Sequence, residues 1–148
     1  MIKLNNIKIG NSERLTIFGG VNVIESKELI FQVAEEFIKN SSKLHFNFVF
    51  KASFDKANRS SLDSYRGPGL EDGLKILSEL KQKYNLPILT DIHEPHQAMP
   101  VSEVCDIIQI PAFLCRQTDL VVAAAKTGKI INLKKPQFMS AKEIFHVV

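Results

Sequence analysis

Phe46-Asn47-Phe48-Val49-Phe50, ending on Lys51, is an apolar, aromatic-rich run that stops at a cation. Runs this short with little polar alternation read as strands covered on both faces, as in a parallel sheet. Working outward, runs of the same kind recur at Leu15–Phe18, Ile88–Thr90, Ile107–Ile110 and Ile130–Leu133. Helical patterns separate them. Ser26 stands as an N-cap ahead of Ile30, Val33, Ala34, Phe37 and Ile38, with Glu28 near the positive end. Gly67-Pro68-Gly69 reads as a rigid turn into Leu70–Tyr84, where Leu70, Leu74, Leu77 and Leu80 share one face and Glu71 and Asp72 sit in the first turn. Asp119 to Lys126 gives another helix, closed by Gly128. Strands alternating with helices predict an α/β fold. Without a Pro/Gly-rich linker, a low-complexity segment or a step in charge, no domain boundary is visible.

Composition narrows the function classes. The 148 residues are 45% hydrophobic, 24% charged and 8% aromatic, which excludes collagen-like, coiled-coil and disordered chains. Nineteen Lys+Arg against sixteen Asp+Glu leave +3, without a block of like charges. That argues against a nucleic-acid partner; an excess gathered at one place would suit a small anion. No run approaches the roughly 18 apolar residues of a membrane span. Met1-Ile2-Lys3-Leu4-Asn5-Asn6 lacks the continuous apolar core of a secretory signal. Cys105 and Cys115 have no CxxC spacing and read as inert, buried packing residues. A reducing, cytoplasmic location is expected.

The function signal lies where each run stops. Phe18 leads into Gly19-Gly20-Val21-Asn22, and Phe50 into Lys51, Lys56, Asn58 and Arg59. Thr90 leads into Asp91 and His93-Glu94-Pro95, Gln109 precedes Pro111, and the fifth run ends Asn132-Leu133-Lys134-Lys135-Pro136. In parallel α/β proteins the carboxyl ends of strands form the functional face, in open sheets and barrels alike. Lys51, Lys56, Arg59, Arg66, Arg116, Lys134 and Lys135, gathered at one mouth, would bind phosphate or carboxylate; dispersed, they are ordinary surface cations. Lys51 and Lys134 favour function, because an ammonium closing an apolar run is costly without a partner. Lys135 divides evenly between the two readings. Gly19-Gly20 is not GxGxxG and no GxxxxGK[ST] occurs, so nucleotide binding has no fingerprint. His93 and His96 make a weak HxxH metal signal that Pro95 turns into a loop. His93 reads equally as structural or catalytic, while His45, His96 and His146 read as non-functional. Asp91 is the better functional candidate, with a helix cap as its alternative. No Ser/His/Asp or Cys/His arrangement supports nucleophilic hydrolysis.

At these strand ends the sequence closely resembles the 3-deoxy-D-manno-octulosonate 8-phosphate synthase family. The likeness runs through Phe18–Ser26, through Phe50-Lys51-Ala52-Ser53-Phe54-Asp55-Lys56-Ala57-Asn58-Arg59-Ser60-Ser61, and through Ser64–Leu70. It continues in Thr90–Pro95, Gln109–Leu114, Arg116–Leu120 and Lys134–Phe138, covering nearly the whole chain. The Lys51–Ser61 segment is specific, because sister enzymes using erythrose 4-phosphate carry a different one. The resemblance implies a (β/α)8 TIM barrel that condenses phosphoenolpyruvate with D-arabinose 5-phosphate for lipopolysaccharide precursor synthesis, as a cytoplasmic homotetramer. It further implies that Lys56 and Lys134 hold phosphoenolpyruvate, with Lys51, Gln109, Ala112 and Arg116 around it. Asn58, Arg59 and Ser60 would engage the sugar phosphate, and Asp91 would stand near the reacting centre. The family position that carries Cys in metal-dependent members is Asn22 here, so neither a metal nor another cofactor is expected.

A (β/α)8 barrel needs eight strands and typically about 250 residues. Five strands are legible here, followed by a helix expected at Glu143–Val148. Residues 1–148 are therefore expected to be the N-terminal part of one barrel domain, inactive alone, because the family's later-strand Arg, His, Glu and Asp are absent from them. Two other classes stay open. One is a different phosphosugar-binding aldolase with a Schiff base on Lys134 or Lys51; the other is a non-catalytic half-barrel that binds anions.

Overall fold

The computed structural model describes residues 1–147. The chain opens with a hairpin, β1 (Ile2–Leu4) antiparallel to β2 (Ile7–Ile9), turned by Asn5 at φ +50°. There follow β3 (Thr16–Gly20), α1 (Lys27–Leu44), β4 (Asn47–Lys51), α2 (Leu70–Tyr84) and β5 (Ile88–Asp91). Then come α3 (Ala98–Val104), β6 (Ile107–Ile110), α4 (Thr118–Lys126) and β7 (Ile130–Leu133). Strands β3 to β7 form one parallel sheet in sequential order, with each neighbouring pair in parallel register.

Local chemistry sets the element ends. The Ser26 hydroxyl accepts the Leu29 N–H at 3.1 Å and opens α1, and His45 at φ +56° closes it. Gly67 turns the chain into α2 at φ +122°, and a Cβ there would sit 2.3 Å from the Phe54 carbonyl oxygen, so the turn requires glycine.

Period-two alternation divides the sheet into two chemically different faces. Phe48, Phe50, Ile88, Ile108 and Ile110 pack against Ile30, Ala34, Leu77, Leu80, Val101 and Ala124 of the helices. On the other face, the amino-terminal ends of the strands supply Val49, Leu89 and Ile107, which meet Leu4, Ile7 and Ile9 of the hairpin. The hairpin thus covers the lower part of that face. The upper part carries Lys51, Asp91, Gln109 and Asn132, the last three in lateral register.

Several expectations need correction. Strand β3 runs from Thr16 to Gly20, not from Leu15, which lies 66% exposed outside it. The hairpin and α3 were not anticipated. The helix expected at Glu143–Val148 is a 3-10 turn over Glu143–His146, with Val148 outside the described residues. Reciprocal bonds between Ser140 and Glu143 start that turn, but Phe145 stays exposed, so no docked apolar face extends it.

Among the described residues nothing pairs with the outer edges of β3 and β7, where Phe18 is exposed and β7 only half-buried. Unpaired edges template association. Residues 1–148 expressed alone should therefore self-associate, as size-exclusion chromatography with light scattering would record. A monodisperse monomer with a sharp thermal transition would contradict this.

Candidate active site at the carboxyl ends of the strands

A cavity of about 520 Å³ opens where β4 to β7 end, lined by Lys56, Asn58, Asp91, His93, Gln109, Ala112 and Lys134, with Phe113 and Lys135 at its wall. Each lining group follows from a strand end. Asp91 closes β5, Gln109 lies inside β6, and the Lys134 N–H continues the β6–β7 ladder by donating to the Ile110 carbonyl at 3.1 Å. Asn132 donates to Gln109 Oε1 at 2.9 Å and ties β7 to β6 across the same face.

Beside the cavity lies a buried polar chain. Lys51 Nζ donates to Ser53 Oγ at 2.6 Å, and Ser53 donates to Asp91 Oδ1 at 2.5 Å. His93 Nε2 stands 3.4 Å from Asp91 Oδ2, while its buried Nδ1 has no partner among the described residues. Burial drives the Lys51 ammonium below its ordinary value; Asp91 opposes that shift, and repulsion from Lys56 and Lys134 adds to it. Lys56 and Lys134 line the cavity, and Lys51 stands beside it, 3.7 Å from Asp91. Burial also raises the Asp91 carboxyl, but the bond from His93, the charge of Lys51 and the bond from Ser53 outweigh it and hold the group at about 2. Lys56 and Lys134 on the cavity wall, with Lys51 beside Asp91, outnumber that one carboxylate, so the mouth is net positive and suits a multiply charged anion.

The depressed Asp91 makes a pH prediction. Its stabilisation, roughly 2 kcal/mol, is complete above the unfolded-state value of 3.8 and is lost as pH falls towards about 2. Urea unfolding between pH 5 and pH 2 should therefore weaken less steeply in Asp91→Asn than in the parent. Identical slopes would contradict the ionised, partnered carboxylate.

The structure brings together Lys56, Asn58, Asp91, Gln109, Ala112 and Lys134 on the cavity, with Lys51 joined to Asp91 through Ser53. Four predicted residues stand apart. Asn22 is exposed in the loop after β3. Arg59 and Ser60 are exposed, and Arg59 Nε donates to the Tyr65 carbonyl at 3.0 Å. Arg116 lines a second cavity of about 520 Å³ with Cys115, Phe138, Met139, Glu143 and His146. Two further cations are engaged: Arg66 pairs bidentately with Asp55 at 2.6 and 2.8 Å, and Lys135 donates to the carbonyls of Pro136 and Met139. Both cysteines are buried, and burial pushes the Cys105 thiol up to about 12, so it packs and does not react. Sequence reasoning missed the parts of Ser53 and Asn132. Their signal is the alternation that puts Val49, Lys51 and Ser53 on one face, and Ile130 and Asn132 on the same face of β7.

The whole chain, residues 1–148, matches the DAHP synthetase I family. The chain belongs to that family. It is 59% identical over its full length to a 2-dehydro-3-deoxyphosphooctonate aldolase of Pseudoalteromonas translucida, covering 52% of that protein. It is 57% identical, again over its full length, to proteins of the same name from Pseudomonas syringae pv. syringae and Pseudomonas putida, covering 53% of each. The chain thus spans about half the length of the curated relatives it matches. Among the described residues no helix is long and apolar enough to cross a membrane.

Proposed function

We propose that this chain supplies the substrate-binding half of an enzyme that condenses phosphoenolpyruvate, D-arabinose 5-phosphate and water to 3-deoxy-D-manno-octulosonate 8-phosphate and phosphate. The observation that carries the reading is the cavity at the strand ends that Lys56, Lys134 and Asp91 line, with Lys51 beside it on the buried Asp91. The names of the relatives support it. In this reading Lys56 and Lys134 bind the phosphoenolpyruvate phosphate and carboxylate, with Lys51, Gln109, Ala112 and Arg116 around them. Asn58, Arg59 and Ser60 take the sugar phosphate. The fixed cations offset repulsion between two anionic substrates and hold them at reacting distance, which is the main catalytic task. C3 of phosphoenolpyruvate bonds to the sugar aldehyde, C2 becomes electron-deficient, water adds there, and phosphate leaves with C–O cleavage. Asp91, ionised at neutral pH, favours the positive charge developing at C2, and Asn22, exposed after β3 in this chain, would border the reacting centre in the whole protein. The whole protein in this reading is a (β/α)8 barrel, of which residues 1–148 form the N-terminal part, assembled as a cytoplasmic homotetramer.

No cofactor takes part in the proposed reaction. The neutral amide of Asn22 is a poor ligand for a transition metal where a thiolate would bind one strongly. Dialysis against EDTA should leave turnover intact in a chimera joining residues 1–148 to the remaining half of the Pseudoalteromonas translucida relative. Loss restored by a divalent metal would contradict the role of Asn22.

A depressed lysine such as Lys51 also suits a Schiff-base aldolase. Borohydride added to the chimera with a carbonyl substrate that acts as donor, such as pyruvate, separates the two reactions. The synthase leaves no reduced adduct on mass spectrometry, and an adduct on Lys51 or Lys134 would establish the aldolase.

A further inference from the structure

The Lys51–Ser53–Asp91 chain has a direction fixed by chemistry. An ammonium only donates hydrogen bonds, so Ser53 Oγ must accept from Lys51, and its own proton must go to Asp91 Oδ1. Ser53 is fully buried and follows β4 by two residues; its carbonyl accepts the Ile24 N–H at 3.0 Å, so the hydroxyl is held in place. Lys51 Nζ and Asp91 Oδ1 are 3.7 Å apart, whereas a directly hydrogen-bonded pair closes to about 2.7–2.9 Å. His93 stands at the far oxygen of the same carboxylate.

We propose that Ser53 is a positioning residue that keeps the Lys51–Asp91 ion pair, at 3.7 Å, from closing into a direct hydrogen bond. The spacer uses one of the three Lys51 donors; among the described residues no other hydrogen bond takes the remaining two, which an anion at the adjoining cavity can use. It also holds Asp91 on the chain side of the cavity, so the carboxylate and the ammonium act on a ligand as separate charges. Without the hydroxyl, the ammonium closes on the carboxylate and its charge is spent inside the protein. The inference rests on the synthase reading, because the anion that uses the freed donors is taken to be phosphoenolpyruvate.

The test is a double-mutant cycle on phosphoenolpyruvate affinity, measured by isothermal titration calorimetry in the chimera, with thermal unfolding of each variant as a check on folding. Ser53→Ala should weaken binding about tenfold or more, the size of a lost hydrogen bond to a charged group. The same change made in Asp91→Asn should cost no more than about twofold, because no carboxylate remains for Lys51 to close on. Ser53→Cys keeps the volume but bonds weakly, and it carries the cycle if the alanine variant does not fold. Equal losses in both backgrounds, or no loss with Asp91 present, would overturn the role of Ser53. A parent chimera that binds no phosphoenolpyruvate would remove the synthase reading and this inference with it.

Discussion

Lys134→Ala in the chimera is expected to lower kcat/KM for phosphoenolpyruvate about a hundredfold or more, the loss typical when a fixed donor to reacting charge is removed. Its backbone is held by the bond to the Ile110 carbonyl, which aims the residue from the end of β7 at the cavity shared with Lys56, Asp91 and Gln109. Lys43→Ala is the control. That cation lies exposed in the last turn of α1, remote from the strand ends, and its removal should leave the rate unchanged. Initial rates of phosphate release measure both. Small, equal effects would contradict the placement of Lys134 on the substrate.

The second large effect is on stability. Gly20 closes β3 at φ +149°, and a Cβ added there would lie 2.2 Å from the Lys51 carbonyl oxygen. That oxygen accepts the Val21 N–H at 3.0 Å, the last bond holding β3 to β4. The clash is with backbone, so no side chain can swing away to relieve it. Gly20→Ala should cost about 3 kcal/mol or more, combining overpacking with backbone strain. In the chimera, the midpoint of thermal unfolding should fall by several degrees. Phosphoenolpyruvate affinity should fall as well, because the displaced segment carries Lys51. An unchanged midpoint would contradict the close approach of β3 and β4.

The elements that sequence rendered well are short apolar runs and long periodic helices. Ile107–Ile110 and Ile130–Leu133 are strands over the predicted spans, because each is a β-branched run interrupted by one polar residue, Gln109 or Asn132. Ser26 and the Leu70–Tyr84 stripe placed α1 and α2 by capping and periodicity. The hairpin was harder, since three-residue runs such as Ile2-Lys3-Leu4 and Ile7-Lys8-Ile9 carry little periodic signal. Its role, covering Val49, Leu89 and Ile107, is tertiary. Helix α3 has only seven residues, with Pro100 inside its first turn, a pattern that reads as a loop. In the candidate site, strand-end logic put Lys51, Asp91, Gln109 and Lys134 at the carboxyl ends of the strands, where they lie, because their positions depend only on where each strand stops. It could not place Arg59, Ser60 or Arg116, because loop and helix-start residues take their direction from packing. Ser53 escaped notice because a serine between Ala52 and Phe54 resembles ordinary packing until Asp91, 38 residues away, is seen beside it.

The central claim is that this lysine-lined cavity serves a synthase that uses a five-carbon sugar phosphate. The most direct measurement is phosphate release from phosphoenolpyruvate by the chimera, with arabinose 5-phosphate and with erythrose 4-phosphate in parallel, and mass spectrometry of the product. Release that requires arabinose 5-phosphate and yields the eight-carbon phosphate is the predicted result. No release with arabinose 5-phosphate, or faster release with erythrose 4-phosphate, would contradict it.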